Sequence, residues 1–156
     1  MDRRRFLISG LGAAALLALS AKAETKTPNF VMIFIDNVGF GDLGCYGNTE
    51  VKTPHIDRLA AQGVRCTQLY TGAPSCMPSR GALLTARHPV RTGLTDQIWQ
   101  IDELEQEGLP RAELIWPAYL KPKGYATACF GKWNIGFAPG TRPTERGFDE
   151  YFGNIS

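Results

Sequence analysis

Phe30-Val31-Met32-Ile33-Phe34-Ile35 is an unbroken apolar run that ends on Asp36-Asn37 and a glycine-rich loop reaching Asn48. A strand wetted on one face alternates apolar and polar residues. Six apolar residues in succession instead predict a strand buried on both faces, as in a parallel sheet covered by helices. Outward from this run, Thr53-Pro54 opens a helix through Gln62 with Ile56, Leu59 and Ala60 on one face, and Gly63 stops it. Val64 to Tyr70 reads as a second strand, and Gly124 to Gly131 as a helix cap followed by a third. Ala112 to Lys121 predicts a helix that Pro117 either kinks or delays. Residues 88–111, irregular and charged, read as a surface excursion, and the chain from Lys132 onward as mostly loop. The alternation of strand, loop and helix predicts an α/β fold: a largely parallel central sheet with flanking helices.

A second stretch carries the chemistry: Ser75-Cys76-Met77-Pro78-Ser79-Arg80-Gly81-Ala82-Leu83-Leu84-Thr85-Ala86-Arg87. A proline in the first helical turn loses no hydrogen bond, so Cys76 is expected at the mouth of a helix running through Arg80 and Leu84. Free amides and the positive end of the helix dipole favour an anion there. Arg80, four residues on, returns to the same face. The plain alternative is a buried cysteine acting as a small hydrophobe. Thiolate phosphatase chemistry is disfavoured, because those enzymes use a longer Cys-to-Arg spacing than four residues. The Asp36 loop follows the first strand directly, where open α/β sheets usually place their sites. Its adjacent oxygen side chains, Asp36 and Asn37, suit a hard cation such as Ca²⁺ or Mg²⁺.

Residues 1–23 read as a signal peptide and 24–156 as the folded part. Arg3-Arg4-Arg5-Phe6-Leu7 is a basic start with a twin arginine, Ile8 to Leu19 is a short apolar stretch, and Ala21-Lys22-Ala23 is a small-x-small cleavage site. This is the twin-arginine export pattern, so the expected partner is that export machinery and the expected location the bacterial periplasm or exterior. An ordinary secretory signal with an extra arginine is the alternative. The net charge of the whole chain is +2, and without residues 1–23 it becomes −1. No basic patch suggests nucleic acid. Cys45, Cys66, Cys76 and Cys129 lack metal-finger spacing, and Cys66 and Cys129 fall in expected strands as core residues.

The Cys76 run resembles the sulfatase signature, Cys-x-Pro-Ser-Arg followed by x-x-Leu-x-Thr-Gly-Arg, with Ala86 in place of the glycine. Asp36-Asn37-Val38-Gly39-Phe40-Gly41-Asp42-Leu43-Gly44-Cys45-Tyr46-Gly47 is similar to the family's metal loop, with Asn37 for its second aspartate. Gly131-Lys132-Trp133-Asn134-Ile135-Gly136 resembles Gly-Lys-Trp-His-Leu-Gly, with Asn134 for histidine. Thr53 to Ala60 and Arg142 to Asp149 match two further family segments. The resemblance implies an alkaline-phosphatase/sulfatase-like fold, incomplete at its C-terminal end, because family members are several times longer. It implies sulfuric ester hydrolysis, with Cys76 oxidised to formylglycine by a maturation enzyme, hydrated, and attacking sulfur.

The implied site is Cys76, Arg80 and Lys132 as catalytic residues and Asp36, Asn37 and Cys76 around Ca²⁺ or Mg²⁺. Asp36 is the local candidate for the base, and Lys132 and Asn134 would bind the sulfate of a small molecule or glycan. Asp42, His55 and His88 are expected to be structural. An amide at 134 can donate a hydrogen bond but is no acid or base near neutrality. Two other readings stay open: a degenerate, non-catalytic relative, or a phosphate or phosphonate ester hydrolase on the same fold. As an isolated piece, the chain is expected neither to bind metal tightly nor to turn over sulfate esters.

Overall fold

The computed structural model describes residues 27–98, 108–136 and 138–155. The expected signal peptide lies outside them. The chain divides into two units, Met1–Ile35 and Asp36–Ser156. In the first, Phe30 to Ile35 enters no ladder, and its side chains are largely exposed, Val31 at 87%. The expected strand there is not formed. Burial on both faces needs a strand on each edge and a layer above and below, which an apolar run can call for but cannot supply.

In the second unit, helix α1 spans Pro54–Gln62 and helix α2 Cys76–Thr85. Helix α3 spans Pro89–Thr92 and helix α4 Trp116–Leu120. Strand β1, Ala128–Phe130, pairs in parallel with strand β2, Glu150–Phe152, with Cys129 opposite Tyr151. Proline opens α1, and Gly63 ends it, donating its N–H to Leu59 O at 3.0 Å. The apolar stripe of α1 is not buried, with Leu59 66% exposed. Pro117 delays α4 to Trp116, and the next turn ends on Gly124 in the left-handed region at φ 84.

Two expectations are corrected. Val64 to Tyr70 is not a strand, and Val64, Leu69 and Tyr70 are exposed, as is Cys66. The excursion after α2 is not confined to the surface, since Leu94 and Leu109 enter the core from its two ends. Strand β2 lies just past the stretch expected as mostly loop, where no strand was expected.

That core joins Leu94 and Leu109 to Met77, Ile115, Trp133, Ile135 and Phe148. Each large side chain fully removed from water contributes about 1.5–3 kcal/mol before entropy is counted. Trp133 is its anchor. It is 1% exposed, its Nε1–H donates to Gly136 O and Thr141 O, and its ring meets Phe148 edge-on at 6.1 Å. Past β1, the backbone stays beside the tail of β2: Gly131 N–H donates to Phe152 O, Trp133 N–H to Asn154 O and Asn134 N–H to Ile155 O. Lys132 and Asn134 thus flank a buried tryptophan on a braced backbone, at the carboxyl end of a parallel strand.

Buried Arg146 ties the loops together by donating to the carbonyls of Leu109, Gly140, Pro110 and Glu113. Asp149 accepts from the Thr127 N–H at 2.8 Å and hydroxyl at 2.9 Å, and pairs with Lys121 at 2.6 Å, clamping the start of β1 to that of β2. Asp57 does the same for the first loop, accepting from Cys45 N–H and the Thr53 hydroxyl, while Thr53 accepts from Gly44 N–H. A Cβ on Gly44 would lie 2.5 Å from Asp57 Oδ2. Among the described residues, no helix is long and apolar enough to cross a membrane.

Candidate functional site

Cys76 is the first residue of α2, after Ser75 in extended conformation, as the proline spacing predicts. Arg80, one turn on, is nearly buried, its side chain 11% exposed. Its Nη1 donates to Lys132 O at 2.6 Å, and its Nη2 lies 3.6 Å from Asp36 Oδ2. Lys132 Nζ meets the same oxygen at 3.0 Å, and Cys76 Sγ lies 3.8 Å from Asp36 Oδ1. Cys76, Arg80, Lys132 and Asp36 therefore converge from three segments far apart in sequence.

The Asp36 carboxylate is the hub. Its hydrogen bond from the Lys132 ammonium holds the carboxyl below the ordinary carboxylate range, against a partial desolvation penalty and with help from Arg80. The same contact raises Lys132 above its ordinary value, with the Cys76 side chain adding to the shift. Both residues stay charged at neutral pH. Each side chain is one-third exposed, so screening limits the pair to about 1 kcal/mol of stability or less. Inside β1, burial raises the Cys129 thiol above its usual range, which suits a core thiol.

Asn37 follows Asp36 with its backbone left-handed at φ 58, and its residue surface is exposed. Asn134 is 3% exposed and also left-handed, at φ 54. Its side chain meets a residue that the sequence did not single out. Gln97 Oε1 accepts the Met77 N–H at 3.2 Å, and Gln97 Nε2 donates to Asn134 Oδ1 at 3.5 Å. A lone glutamine in a charged stretch offers no local signal for such a role. His88 Nδ1 accepts the Val90 N–H at the start of α3, and His55 Nδ1 lies 3.4 Å from Arg58 Nη2. Asp42 accepts the Gly39 N–H at 2.6 Å, in a structural role.

The set expected around a divalent cation, Asp36, Asn37 and Cys76, does not fit one by itself. Its one carboxylate is held by two cations, leaving the Asp36–Arg80–Lys132 cluster net positive. Among the described residues, no three His, Cys, Asp or Glu side chains converge as ligands. The cluster favours an anion instead. Two fixed cations and the N-terminal end of α2 lie around Cys76, with the Asp36 carboxylate beside its sulfur.

Residues 28–156 match the family model described as Sulfatase. Over 98% of its length the chain is 39% identical to steryl-sulfatase of Mus musculus, covering 27% of that protein. It is 40% identical to N-acetylgalactosamine-6-sulfatase of Rattus norvegicus, over 97% of this chain and 29% of that protein. The crystal structure of the PsFucS1 sulfatase from Pseudoalteromonas sp. superposes with a TM-score of 0.70 at 36% identity, covering 95% of this chain and 30% of that one. The chain thus spans under a third of the length of these relatives.

Proposed function

The chain belongs to the sulfatase family, and from that premise we propose that it supplies the nucleophile-bearing part of a sulfuric ester hydrolase. The observation that carries this reading is the convergence of Cys76, Asp36, Arg80 and Lys132 at the mouth of α2. Oxidised to formylglycine by a maturation enzyme, Cys76 would supply, as the hydrate, both the attacking hydroxyl and an internal route for expelling sulfate. Asp36 would accept the proton of that hydroxyl. Lys132 would face the sulfate oxygens as a compact charge, and Arg80 would hold oxygen charge at residue 76.

Ca²⁺ or Mg²⁺ would have to displace Lys132 from Asp36 or gain carboxylates beyond the described residues. Asn37 would then serve through its carbonyl oxygen. The substrate class is a sulfated small molecule or glycan, in keeping with the sterol and amino-sugar sulfates in the relatives' names. Residues 1–23 would route the protein through twin-arginine export to the periplasm or exterior.

Peptide mass spectrometry across Cys76, on protein purified from its native host, tests the reading. An aldehyde at residue 76, with loss of aryl sulfate turnover in Cys76→Ala, is the expected result. An unmodified thiol in cells where other sulfatases mature would overturn it in favour of a non-catalytic relative. Turnover of phosphate esters with none of sulfate esters would move the assignment to the phosphate branch.

A further inference from the structure

Gln97 spans the two segments that carry the site. One end of its side chain accepts the N–H of Met77, the residue after Cys76, and the other donates to Asn134, two residues after Lys132. The first contact fixes which end is which, because only the carbonyl oxygen of an amide can accept a backbone N–H. Asn134 is fixed in turn. With its oxygen toward Gln97, its NH2 group is the end turned toward any other partner. At 3% exposure for Asn134 and 0% for Met77, water is poorly placed to replace either contact.

We propose that Gln97 is a positioning residue of the hydrolase site, tying the first turn of α2 to the Lys132–Asn134 segment and orienting the NH2 group of Asn134 as a hydrogen-bond donor. This rests on the reading of the site given above. The family pattern has a histidine at position 134, whose donor role depends on its tautomer and charge. Here the donor does not titrate, and its direction is set by a neighbouring amide. The Met77 N–H is one peptide unit from Cys76, so loosening it displaces the reacting group directly. A displacement of about 1 Å in a catalytic site costs on the order of a hundredfold in rate.

The test uses the protein as its native gene encodes it, matured by co-expression with a formylglycine-generating enzyme and assayed on an aryl sulfate. Gln97→Glu separates the two contacts, since a carboxylate still accepts from Met77 but cannot donate to Asn134. Its kcat should fall about tenfold or more with KM within about twofold, because Lys132 is untouched. Gln97→Leu should fall at least as far. Gln97→Glu combined with Asn134→Leu should be no slower than the slower single variant, as the pair acts as a unit. A wild-type kcat in Gln97→Glu, or losses that multiply in the double variant, would overturn the proposal.

If the protein as its native gene encodes it hydrolyses no sulfate ester, the hydrolase reading fails, and urea unfolding then decides on Gln97 alone. In the Gln97→Ala and Asn134→Ala cycle, a departure from additivity of about threefold or more in the unfolding constant is expected. Additive behaviour would dispose of the contact.

Discussion

Replacing Ala86 by glycine should stabilise the protein, against the usual sense of a change from alanine to glycine. Ala86 follows the last turn of α2 at φ 55, ψ 29, in the left-handed region. For an L-residue with a Cβ, that conformation costs about 1–2 kcal/mol. Glycine removes the penalty but gives the unfolded chain more freedom, returning about 0.4–1 kcal/mol. Ala86 is exposed, so deleting its methyl forfeits no packing. The helix end keeps its other support, the Thr85 hydroxyl donating to Gly81 O at 2.7 Å and accepting the Arg87 N–H at 3.2 Å. The net expectation is a gain of about 0.5–1 kcal/mol, or roughly 2–6 °C in thermal midpoint for a domain of this size.

Urea denaturation of wild type, Ala86→Gly and Ala61→Gly is the assay. Ala61 is exposed within α1, where glycine should cost about 0.5–1 kcal/mol, so the two substitutions should move the midpoint in opposite directions. A neutral or destabilised Ala86→Gly beside a normally destabilised Ala61→Gly would refute the left-handed assignment at residue 86.

Other outcomes follow from the same contacts. Asp149, hydrogen-bonded by Lys121 and by Thr127, has its carboxyl lowered to about 2. A lowered folded-state value means that its stabilisation is present above the ordinary carboxylate range and is lost as pH falls toward 2. Asp149→Asn should therefore flatten the acid limb of a stability-against-pH curve between about pH 4 and 2; an unchanged limb would exclude the clamp. Arg146→Met removes the donor to four loop carbonyls and should cost about 3 kcal/mol or more by urea unfolding, whereas a loss below about 1 kcal/mol would count against that role. Ca²⁺ at about 5 mM should raise the thermal midpoint of this chain by less than about 1 °C, because Asp36 is already held by two cations. A rise of several degrees, reversed by chelation, would show that these residues do hold the ion.

How much of this was legible in the sequence depends on the range of the forces involved. The helices at Pro54 and Cys76 were readable because their signals are local: a proline in the first turn of each, and Gly63 at the end of the first. The apolar runs at Phe30 and Val64 carry an equally clear pattern but form no strands, since burial on both faces depends on partners that a local pattern cannot provide. Asp36 and Lys132 lie ninety-six residues apart, and no spacing rule joins them. Family likeness brought them together on paper, and the chain places them 3.0 Å apart. Gln97 had neither local signal nor family motif, and its position emerges only when the core draws Leu94 and Leu109 inward.

Three departures from the family pattern, at Asn37, Ala86 and Asn134, share a feature visible only in the backbone. Asn37, Ala86 and Asn134 are the non-glycine residues with positive φ among those described. Asn, Asp and His populate that region several times more readily than other side chains. Exchanging Asp for Asn at 37 and His for Asn at 134 therefore keeps the conformation, while removing a negative charge from one position and a titratable ring from the other. Ala86 goes the other way, keeping no side-chain chemistry and accepting backbone strain at the C-terminal end of α2. The shape of the site is thus held more tightly than its charges. Asn37→Asp and Asn134→His should accordingly fold without loss of stability, and any gain in turnover they bring would measure what the lost charge and imidazole are worth. A destabilisation above about 2 kcal/mol in either would show that the backbone at these positions selects asparagine itself, not the left-handed class.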